Sequence, residues 1–172
     1  MKKKIKGAEN TETLRFTGVI SEDSSFPFLT LFDQACSEDK GVKIIINSGG
    51  GDIDCAFAIY DAIMRSGANV ETVAEGAVAS AALTVFLAGD TRAMAPHAYI
   101  AVHQPKISPP GSSTIDEFSR ICRHVKMVQR MYVDIICERT GQSRSRVLRD
   151  IIHGRHFYAD DAIKCGYAHK II

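Results

Sequence analysis

The stretch VKIIINSGGGD, from Val42 to Asp52, decides the fold class of this chain. It begins with an apolar run rich in β-branched side chains, which is typical of a strand buried on both faces, as in parallel sheets. The glycines that follow indicate the end of the strand and a turn. Apolar residues then recur at helical spacing, with Asp52 as the expected N-cap and Gly67 as the expected C-terminal stop. The stretch therefore predicts a strand followed by a crossover helix.

The order of strand and helix continues on both sides of this unit. On the N-terminal side, the sequence predicts a strand over Leu14–Ile20 and a helix over 24–36, with Ser24 or Ser25 as N-cap and Pro27 in the first turn. On the C-terminal side it predicts a strand at 69–74, a turn at 75–79, a helix at 80–89, strands at 91–95 and 98–102, and finally a strand, a helix stopped by Gly166 and a last strand. Such alternation implies parallel pairing with crossover helices. We therefore expect one α/β domain over 1–172 with a mostly parallel sheet, in which 1–12 form a flexible segment.

A long helix is predicted from Thr114 to about Glu138, after a loop rich in proline, glycine and serine. Asp116 and Glu117 in its first turn suit the positive end of the helix dipole. Its apolar side is broad and is formed by Ile115, Phe118, Ile121, Cys122, Val125, Val128, Met131, Tyr132, Ile135 and Ile136. A side this wide indicates either a helix that packs on something besides its own domain or one that lies across its own core.

The composition excludes several classes of function. The chain has 172 residues, of which 24% are charged and 45% hydrophobic, and its net charge is +1, so no bulk attraction to nucleic acid or to an anionic membrane is expected. Its five cysteines form no CxxC pair, which argues against a disulfide framework and for a reducing compartment. The basic N-terminus is not followed by an apolar segment, and no apolar run reaches the length of a membrane span. We therefore expect a cytoplasmic protein.

The parts of a nucleophilic site follow successive strands of the predicted sheet. Ser80, in EGAVASAALTVFLAGD (75–90), lies at the predicted start of a helix, where unpaired N–H groups and the helix dipole favour an anion, so the N–H of Ala81 is a candidate oxyanion donor. Glycines after the buried strand let the backbone approach a substrate closely, which makes the N–H of Gly51 the second donor. His103 follows the strand at 98–102 and is the candidate general base. A nucleophile, a base and two oxyanion donors are what serine catalysis needs.

Each of these signals also has an ordinary structural interpretation. A serine at the alanine-rich start of a helix can be a packing or capping residue, and a glycine triplet can be a simple turn. A histidine at the end of a strand can be a polar residue at the edge of the sheet. The order and spacing of the three features favour catalysis. His153 and His156 have an HxxH spacing, but no familiar ligand set completes it, so no metal site and no cofactor are predicted. The glycines at 49–51 do not form a phosphate loop, because no Gly-Lys-Ser/Thr follows and Asp52 would repel a phosphate.

Four stretches together resemble the proteolytic subunit of the Clp protease, a serine peptidase family of the crotonase-like superfamily. They are IIINSGGGDIDCAFAIYDAI, EGAVASAALTVFLAGD, AYIAVHQP and FYADDAIKCGYAHKI, and their order and spacing match the family pattern. The resemblance implies a crotonase-like α/β fold, with Ser80 as the nucleophile and His103 as the general base. It implies that the amides of Gly51 and Ala81 form the oxyanion hole.

The same resemblance implies an assembly and a class of substrate. The family forms stacked rings through a long handle helix, so the helix from Thr114 would protrude as the handle, and its wide apolar side would meet other subunits. A homo-oligomer that acts on peptides or unfolded proteins is therefore expected. No nucleic acid or membrane partner is expected.

Three departures from the family pattern bear on activity. Gly49 replaces the proline of the family's Asn-Ser-Pro-Gly-Gly, which loosens the loop but keeps its amides. Gly154 stands where the triad aspartate is expected, and the loss of that carboxylate can lower turnover by about ten-thousandfold. Asp150, one helical turn earlier, could replace it only if the chain there shifts, so the sequence does not identify the third triad member. The short segment before the first strand lacks the family's N-terminal helix and hairpin, which disfavours a Clp-type ATPase partner.

The sequence therefore predicts a serine-type endopeptidase that hydrolyses peptide bonds through an acyl-enzyme on Ser80 and acts without an ATPase. Two alternatives stay open. The glycine at the aspartate position favours a catalytically impaired or inactive ring subunit with an assembly or regulatory role. A crotonase-like fold can also bind acyl-CoA with the same pair of amides, but no carboxylate beyond Asp52 and Asp54 is a candidate acid or base for that chemistry.

Overall fold

A computed structural model describes residues 11–37, 41–106, 111 and 114–172 of the chain. The strands are β1 (Thr11–Ile20), β2 (Gly41–Gly51), β3 (Val70–Ala79), β4 (Thr91–Met94), β5 (Tyr99–Ala101), β6 (His156–Tyr158) and β7 (Lys170–Ile171). The helices are α1 (Glu22–Ser37), α2 (Ile53–Ser66), α3 (Ala81–Leu87), α4 (Ile115–Thr140), α5 (Arg144–Ile152) and α6 (Ala159–Lys164). Within the described residues, no helix is both long and apolar enough to cross a membrane.

The sheet is mostly parallel, as the alternation of strands and helices predicted. Its main path runs β1-β2-β3-β4-β7, with parallel pairing at every step. β3 is shared between two neighbours, because its first half pairs with β4 and its last three residues pair with β5. β6 then pairs with β5 in the antiparallel direction. The end of β3 and the end of β5 are therefore held side by side.

The isoleucine run of β2 is buried on both faces of the sheet. Ile44 and Ile46 belong to the main core, and Ile45 packs in a small cluster with Val73 and Ala93 on the opposite face. Every residue of α3 is buried in the main core or its surroundings. The alanines beside Ser80 in the sequence therefore let a helix lie deep inside the molecule at the point where the sheet ends.

The predicted boundaries of α2 and α4 are confirmed. Asp52 is the N-cap of α2 and accepts a hydrogen bond from the N–H of Cys55 (2.9 Å), and Gly67 ends the helix with a φ of +69°. α4 begins after Thr114, which forms a capping box with Glu117. The buried residues of α4 all lie from Val128 onward. The first part of the helix therefore extends away from the described core, and it exposes Ile115 and Phe118.

The start of α1 differs from the prediction. The helix begins at Glu22, and its cap is Ser21, not Ser24 or Ser25. The N–H of Ser24 donates to Oγ of Ser21 (3.3 Å), and the N–H of Ser21 donates to Oγ of Ser24 (2.9 Å), which is a reciprocal capping arrangement. Pro27 consequently lies in the second turn. Several capping residues follow one another here, and sequence alone does not separate them.

Two predicted turns are strand in the structure, and part of the predicted flexible segment is strand too. β2 continues through the glycines to Gly51, and β3 continues through 75–79 to Ala79, because each gains a neighbouring strand at that end. Thr11 and Glu12 pair with β2 as the start of β1. The remainder of that segment, 1–10, lies outside the described residues, as does most of the loop that precedes α4.

The buried Arg92 in β4 ties the C-terminal part of the chain to the sheet. Its guanidinium donates to the backbone carbonyls of Tyr167, Gly166, Arg139 and Gly89. The backbone N–H of Arg92 donates to Nδ1 of His169 (3.1 Å), so His169 must be unprotonated at that nitrogen. Burial and the positive charges of Arg92 and Arg139 lower the pKa of His169 below its usual value.

Acidification is expected to destabilise the fold through His169. Its folded-state pKa lies below the unfolded value of about 6.5, so the stabilising contribution is complete above about pH 6.5 and is lost as the pH falls through the folded pKa. His169→Asn keeps an uncharged acceptor that does not titrate. Thermal unfolding between about pH 5 and pH 7.5 should therefore show a smaller drop in melting temperature for the variant than for the wild type. An identical drop in both proteins would contradict this role.

Candidate active site

Ser80 lies in the turn between β3 and α3, in a backbone conformation that side-chain-bearing residues rarely adopt. Its φ is +53° and its ψ is −128°, and among the described residues it is the one non-glycine residue with a positive φ. Its N–H donates to the carbonyl of Ala101 (2.9 Å), and its carbonyl accepts from the N–H of Leu83 (3.0 Å) and the hydroxyl of Tyr132 (3.3 Å). The side chain caps no helix N–H. A strained turn whose hydroxyl makes no cap is typical of a reactive serine.

Gly50 and Gly51 bring the end of β2 against this turn. A Cβ added to Gly50 would lie 2.9 Å from Cβ of Ser80 and 3.0 Å from N of Ala81. A Cβ added to Gly51 would lie 2.2 Å from the carbonyl oxygen of Ile20 in β1. Both residues also have a positive φ, which glycine adopts without steric cost. Gly50 and Gly51 therefore have to be glycines, because the backbone approaches the turn at Ser80 and β1 too closely for a side chain.

Asn47 bends β3 toward the site, a role that the sequence analysis missed. Its Oδ1 accepts a hydrogen bond from the N–H of Ala77 (3.1 Å), beside a shift of register between β2 and β3. Gly76 lies at this bulge with a φ of +78°, and a Cβ there would lie 2.8 Å from the same Oδ1. Beyond the bulge, β3 leaves β4 and pairs with β5. The bulge thus carries Ser80 to the strand that leads to His103.

His103 follows β5, and a backbone carbonyl orients its ring. Nδ1 lies 2.7 Å from the carbonyl oxygen of Gln104. Because a carbonyl only accepts, Nδ1 must carry a proton, so in the neutral ring Nε2 is the nitrogen that can accept. This is the tautomer that a general base needs toward a serine hydroxyl.

One pocket of about 300 Å³ brings the predicted site residues together. It is lined by Gly51, Ile53, Ser80, Ala81, His103, Pro105, Lys106, Val128, Gln129 and Tyr132. The predicted nucleophile, base and oxyanion donors are all in this set. The residues from α4 and the loop after His103 were not predicted as site residues. Burial raises the pKa of Tyr132, so its hydroxyl retains the proton that it donates to the carbonyl of Ser80.

Asp150, the candidate third triad member, is not brought to this pocket. It lies buried on α5, and its carboxylate pairs with Arg155 (3.2 Å) and, more distantly, with Arg146 (4.0 Å). This pairing explains how a carboxylate is tolerated inside the fold without contact with the histidine. The described residues lining the pocket include no aspartate or glutamate.

Gly154 lies in the turn between α5 and β6. β6 pairs with β5, the strand that leads to His103: Ala101 pairs with His156, and the N–H of Val102 donates to the carbonyl of Arg155 (3.0 Å). The N–H of Gly154 itself donates to the carbonyl of Ile151 (3.2 Å) at the end of α5. Gly154 has a φ of +61°, and a Cβ there would meet no atom within 4 Å. There is therefore space for a side chain at this position.

A metal site finds no support in this part of the chain. Among residues 11–37, 41–106, 111 and 114–172, no group of three histidine, cysteine, aspartate or glutamate side chains is arranged to hold a metal ion. His153 and His156 lie at the end of α5 and the start of β6. The ring of His156 packs near that of Tyr99, with centroids 5.7 Å apart.

The fold and the pocket at the strand ends define an α/β protein of the ClpP-like class. A ClpP1 mutant from Listeria monocytogenes has a solved structure that matches with a TM-score of 0.85, covering 94% of this chain and 91% of that chain at 24% identity, a likeness that shows the fold alone. The family model described as Clp protease matches residues 20–172. The ATP-dependent Clp protease proteolytic subunit of Chlorella vulgaris is 35% identical over 147 residues, which cover 83% of this chain and 71% of that relative. This chain therefore belongs to the Clp protease family.

Proposed function

We propose that the chain is a serine-type endopeptidase that hydrolyses peptide bonds through an acyl-enzyme. The observation that carries the proposal is the pocket in which Ser80 and His103 lie together with the two candidate oxyanion donors, Gly51 and Ala81. The strained turn at Ser80 supports a nucleophile, since strain of this kind collects at functional sites. Membership of the Clp protease family supports peptides or unfolded proteins as substrates.

In the proposed mechanism, the free Nε2 of His103 accepts the proton of the Ser80 hydroxyl as its oxygen attacks the peptide carbonyl. The N–H groups of Gly51 and Ala81 donate to the oxyanion of the tetrahedral intermediate. The imidazolium of His103 then gives its proton to the leaving amine, and the peptide's acyl group stays on Ser80. Water activated by His103 hydrolyses this ester and restores the hydroxyl.

His103 differs from the histidine of a complete triad in the group that accepts the hydrogen bond from its Nδ1. The carbonyl of Gln104 fixes the tautomer of His103, but a neutral dipole stabilises the imidazolium less than a carboxylate does. The proposed enzyme is therefore a Ser-His dyad with a backbone acceptor. Its turnover should be slower than that of a peptidase with a complete triad.

The proposal extends to assembly and location. The exposed apolar side chains of the first half of α4, among them Ile115 and Phe118, support a homo-oligomer that stacks through this helix. We propose that this assembly is cytoplasmic, that it uses no metal or other cofactor, and that it cleaves short or unfolded peptides without an ATPase.

Covalent labelling tests the proposed function directly. A fluorophosphonate should modify the purified wild-type protein, and peptide mapping by mass spectrometry should place the modification on Ser80. Heat-unfolded protein is the control, because an unassembled site does not activate a serine. Absence of label, or label on another residue of the native protein, would refute the nucleophile.

A second candidate function is a catalytically impaired or inactive ring subunit with an assembly or regulatory role. The observation that favours it is that no aspartate or glutamate is among the described residues lining the pocket, with Gly154 at the position where the family pattern has the triad aspartate. Turnover by the purified homo-oligomer separates the two candidates. Cleavage of an unstructured peptide that is lost in His103→Ala would eliminate the inactive subunit.

Aspartate at position 154 is expected to accelerate the dyad. Gly154→Asp would supply a carboxylate at the position where the family pattern has the triad aspartate, in open space and in a backbone region that aspartate tolerates better than most residues. We expect kcat to rise by about tenfold, a fraction of the roughly ten-thousandfold effect of the triad aspartate, since the carbonyl of Gln104 already orients the ring.

The matched control for this change is Gly154→Asn. It has the same size and the same backbone strain but carries no charge. Peptide hydrolysis by the two variants should therefore differ, with the aspartate variant the faster. Equal rates in both would show that no carboxylate acts on His103 from this position.

A further inference from the structure

The pocket at Ser80 is lined by both apolar and polar side chains. The apolar ones include Ile53, Val128 and Tyr132, of which the last two are buried. The polar ones include Gln129 and the exposed Lys106. Apart from the titratable His103, Lys106 carries the only charge among the described residues that line the pocket. A substrate side chain that enters the pocket therefore meets an ammonium group beside an apolar surface.

The charge of Lys106 is not neutralised by the described part of the chain. No ion pair joins it to a described acidic residue, and no aspartate or glutamate lines the pocket. Asp52, an acidic residue next to the pocket residues in sequence, uses its carboxylate to cap α2 through the N–H of Cys55. Because Lys106 is exposed, water and salt weaken its attraction for an anion, so the expected selection is modest.

The position of Lys106 suits a role in selecting substrates. It follows Pro105, whose ring fixes one backbone dihedral immediately before the lysine. The long stem of a lysine can lie along an apolar surface while its ammonium stays at the polar edge. Lys106 also follows His103 by three residues and lines the same pocket as Ser80.

We propose that Lys106 makes this pocket select peptides with a carboxylate next to the bond that Ser80 cleaves. The proposal rests on the proposed peptidase function and names its substrate class. The carboxylate has two sources, the side chain of a glutamate or aspartate inside the peptide and the C-terminal carboxylate of the peptide. Both would pair with the same ammonium group, and the two are separated by the peptides used in the test.

The test compares internally quenched peptides that have blocked termini and differ at one residue beside the cleaved bond. We expect kcat/KM for glutamate to exceed that for glutamine by about threefold, as for one favourable ion pair at an exposed lysine. Lys106→Met should bring the ratio close to one, and Lys106→Glu should invert it in favour of a lysine peptide. A fourth peptide, with glutamine at the same position and a free C-terminus, reports on the terminal carboxylate.

Two controls make the result specific to this pocket. Lys164→Glu makes the same charge change on α6, which contributes no residue to the pocket lining, and should leave the ratio at its wild-type value. Raising the salt concentration should lower the ratio in the wild type, because an ion pair is screened. A wild-type ratio near one for both carboxylate peptides, or a ratio that Lys106→Glu does not change, would overturn the proposal.

Failure of the proposed peptidase function would look different. In that case none of the peptides is cleaved and Ser80 takes no label. Binding of the same peptides to the Ser80→Ala protein, measured by fluorescence anisotropy, then tests the selection by itself. Tighter binding of the carboxylate peptides that is lost in the Lys106→Met form of that protein supports the role of Lys106, and equal binding of all peptides rejects it.

Discussion

Replacing Ser80 by alanine is expected to lower peptide turnover by at least about a hundredfold. The estimate is the factor by which removal of a whole triad lowers turnover more than removal of its aspartate alone. Only this part of the loss is expected, because the wild type already lacks a carboxylate at His103. The melting temperature should stay within a few degrees, since the Ser80 hydroxyl caps no helix N–H. Alanine also meets the positive φ at this position with a cost similar to that of serine.

The measurement is hydrolysis of a quenched peptide together with a thermal unfolding curve for both proteins. The combination distinguishes a catalytic hydroxyl from a structural one, because a structural serine would change stability as well as rate. Retained turnover in Ser80→Ala would exclude Ser80 as the nucleophile. A large fall in melting temperature would indicate that Ser80 has a packing role.

Replacing Gly50 by alanine is expected to abolish most activity, although Gly50 lies on the strand next to the turn at Ser80. The added Cβ would lie 2.7 Å from the carbonyl oxygen of Ala79 and 2.9 Å from Cβ of Ser80, and the φ of +95° disfavours any side chain. The turn at Ser80 must therefore shift. We expect a loss of about 1–3 kcal/mol in the free energy of unfolding and of at least about a hundredfold in turnover.

Gly49 provides the matched control within the same triplet. A Cβ there meets no atom within 4 Å, and its φ is not in the left-handed region. Gly49→Ala should therefore stay within about 0.5 kcal/mol of the wild type and keep its activity. If both substitutions change the free energy of unfolding and the rate of hydrolysis by the same amount, the close approach of Gly50 to Ser80 is not needed for function.

The local signals in the sequence were sufficient for much of the fold. The isoleucine run of β2, the cap at Asp52 and the stop at Gly67 each depend on residues close together in the chain, and each was predicted correctly. The same is true of the start of the long helix after Thr114, with Asp116 and Glu117 in its first turn. These features are set by periodicity and by short-range hydrogen bonds, which a sequence displays directly.

The details of the site depend on contacts between distant residues, which the sequence does not display. The bend of β3 arises because Asn47 reaches Ala77 on the next strand, so a predicted turn is strand instead. Nothing in the spacing indicates that the carbonyl of Gln104 holds His103. The order of motifs nevertheless placed Ser80 and His103 at neighbouring strand ends, because parallel strands end at the same edge of a sheet.

The hydrogen bonds around Ser80 also have a consequence for the order of folding. The turn is held by Ala101 and Tyr132, both of which lie later in the chain than the serine itself. During synthesis from the N-terminus, a growing chain that has reached only β4 has neither contact. Ser80, the proposed nucleophile, therefore acquires its backbone geometry only after β5 has joined the sheet and α4 has packed against the turn, so a nascent chain lacks this geometry until most of its length has been made.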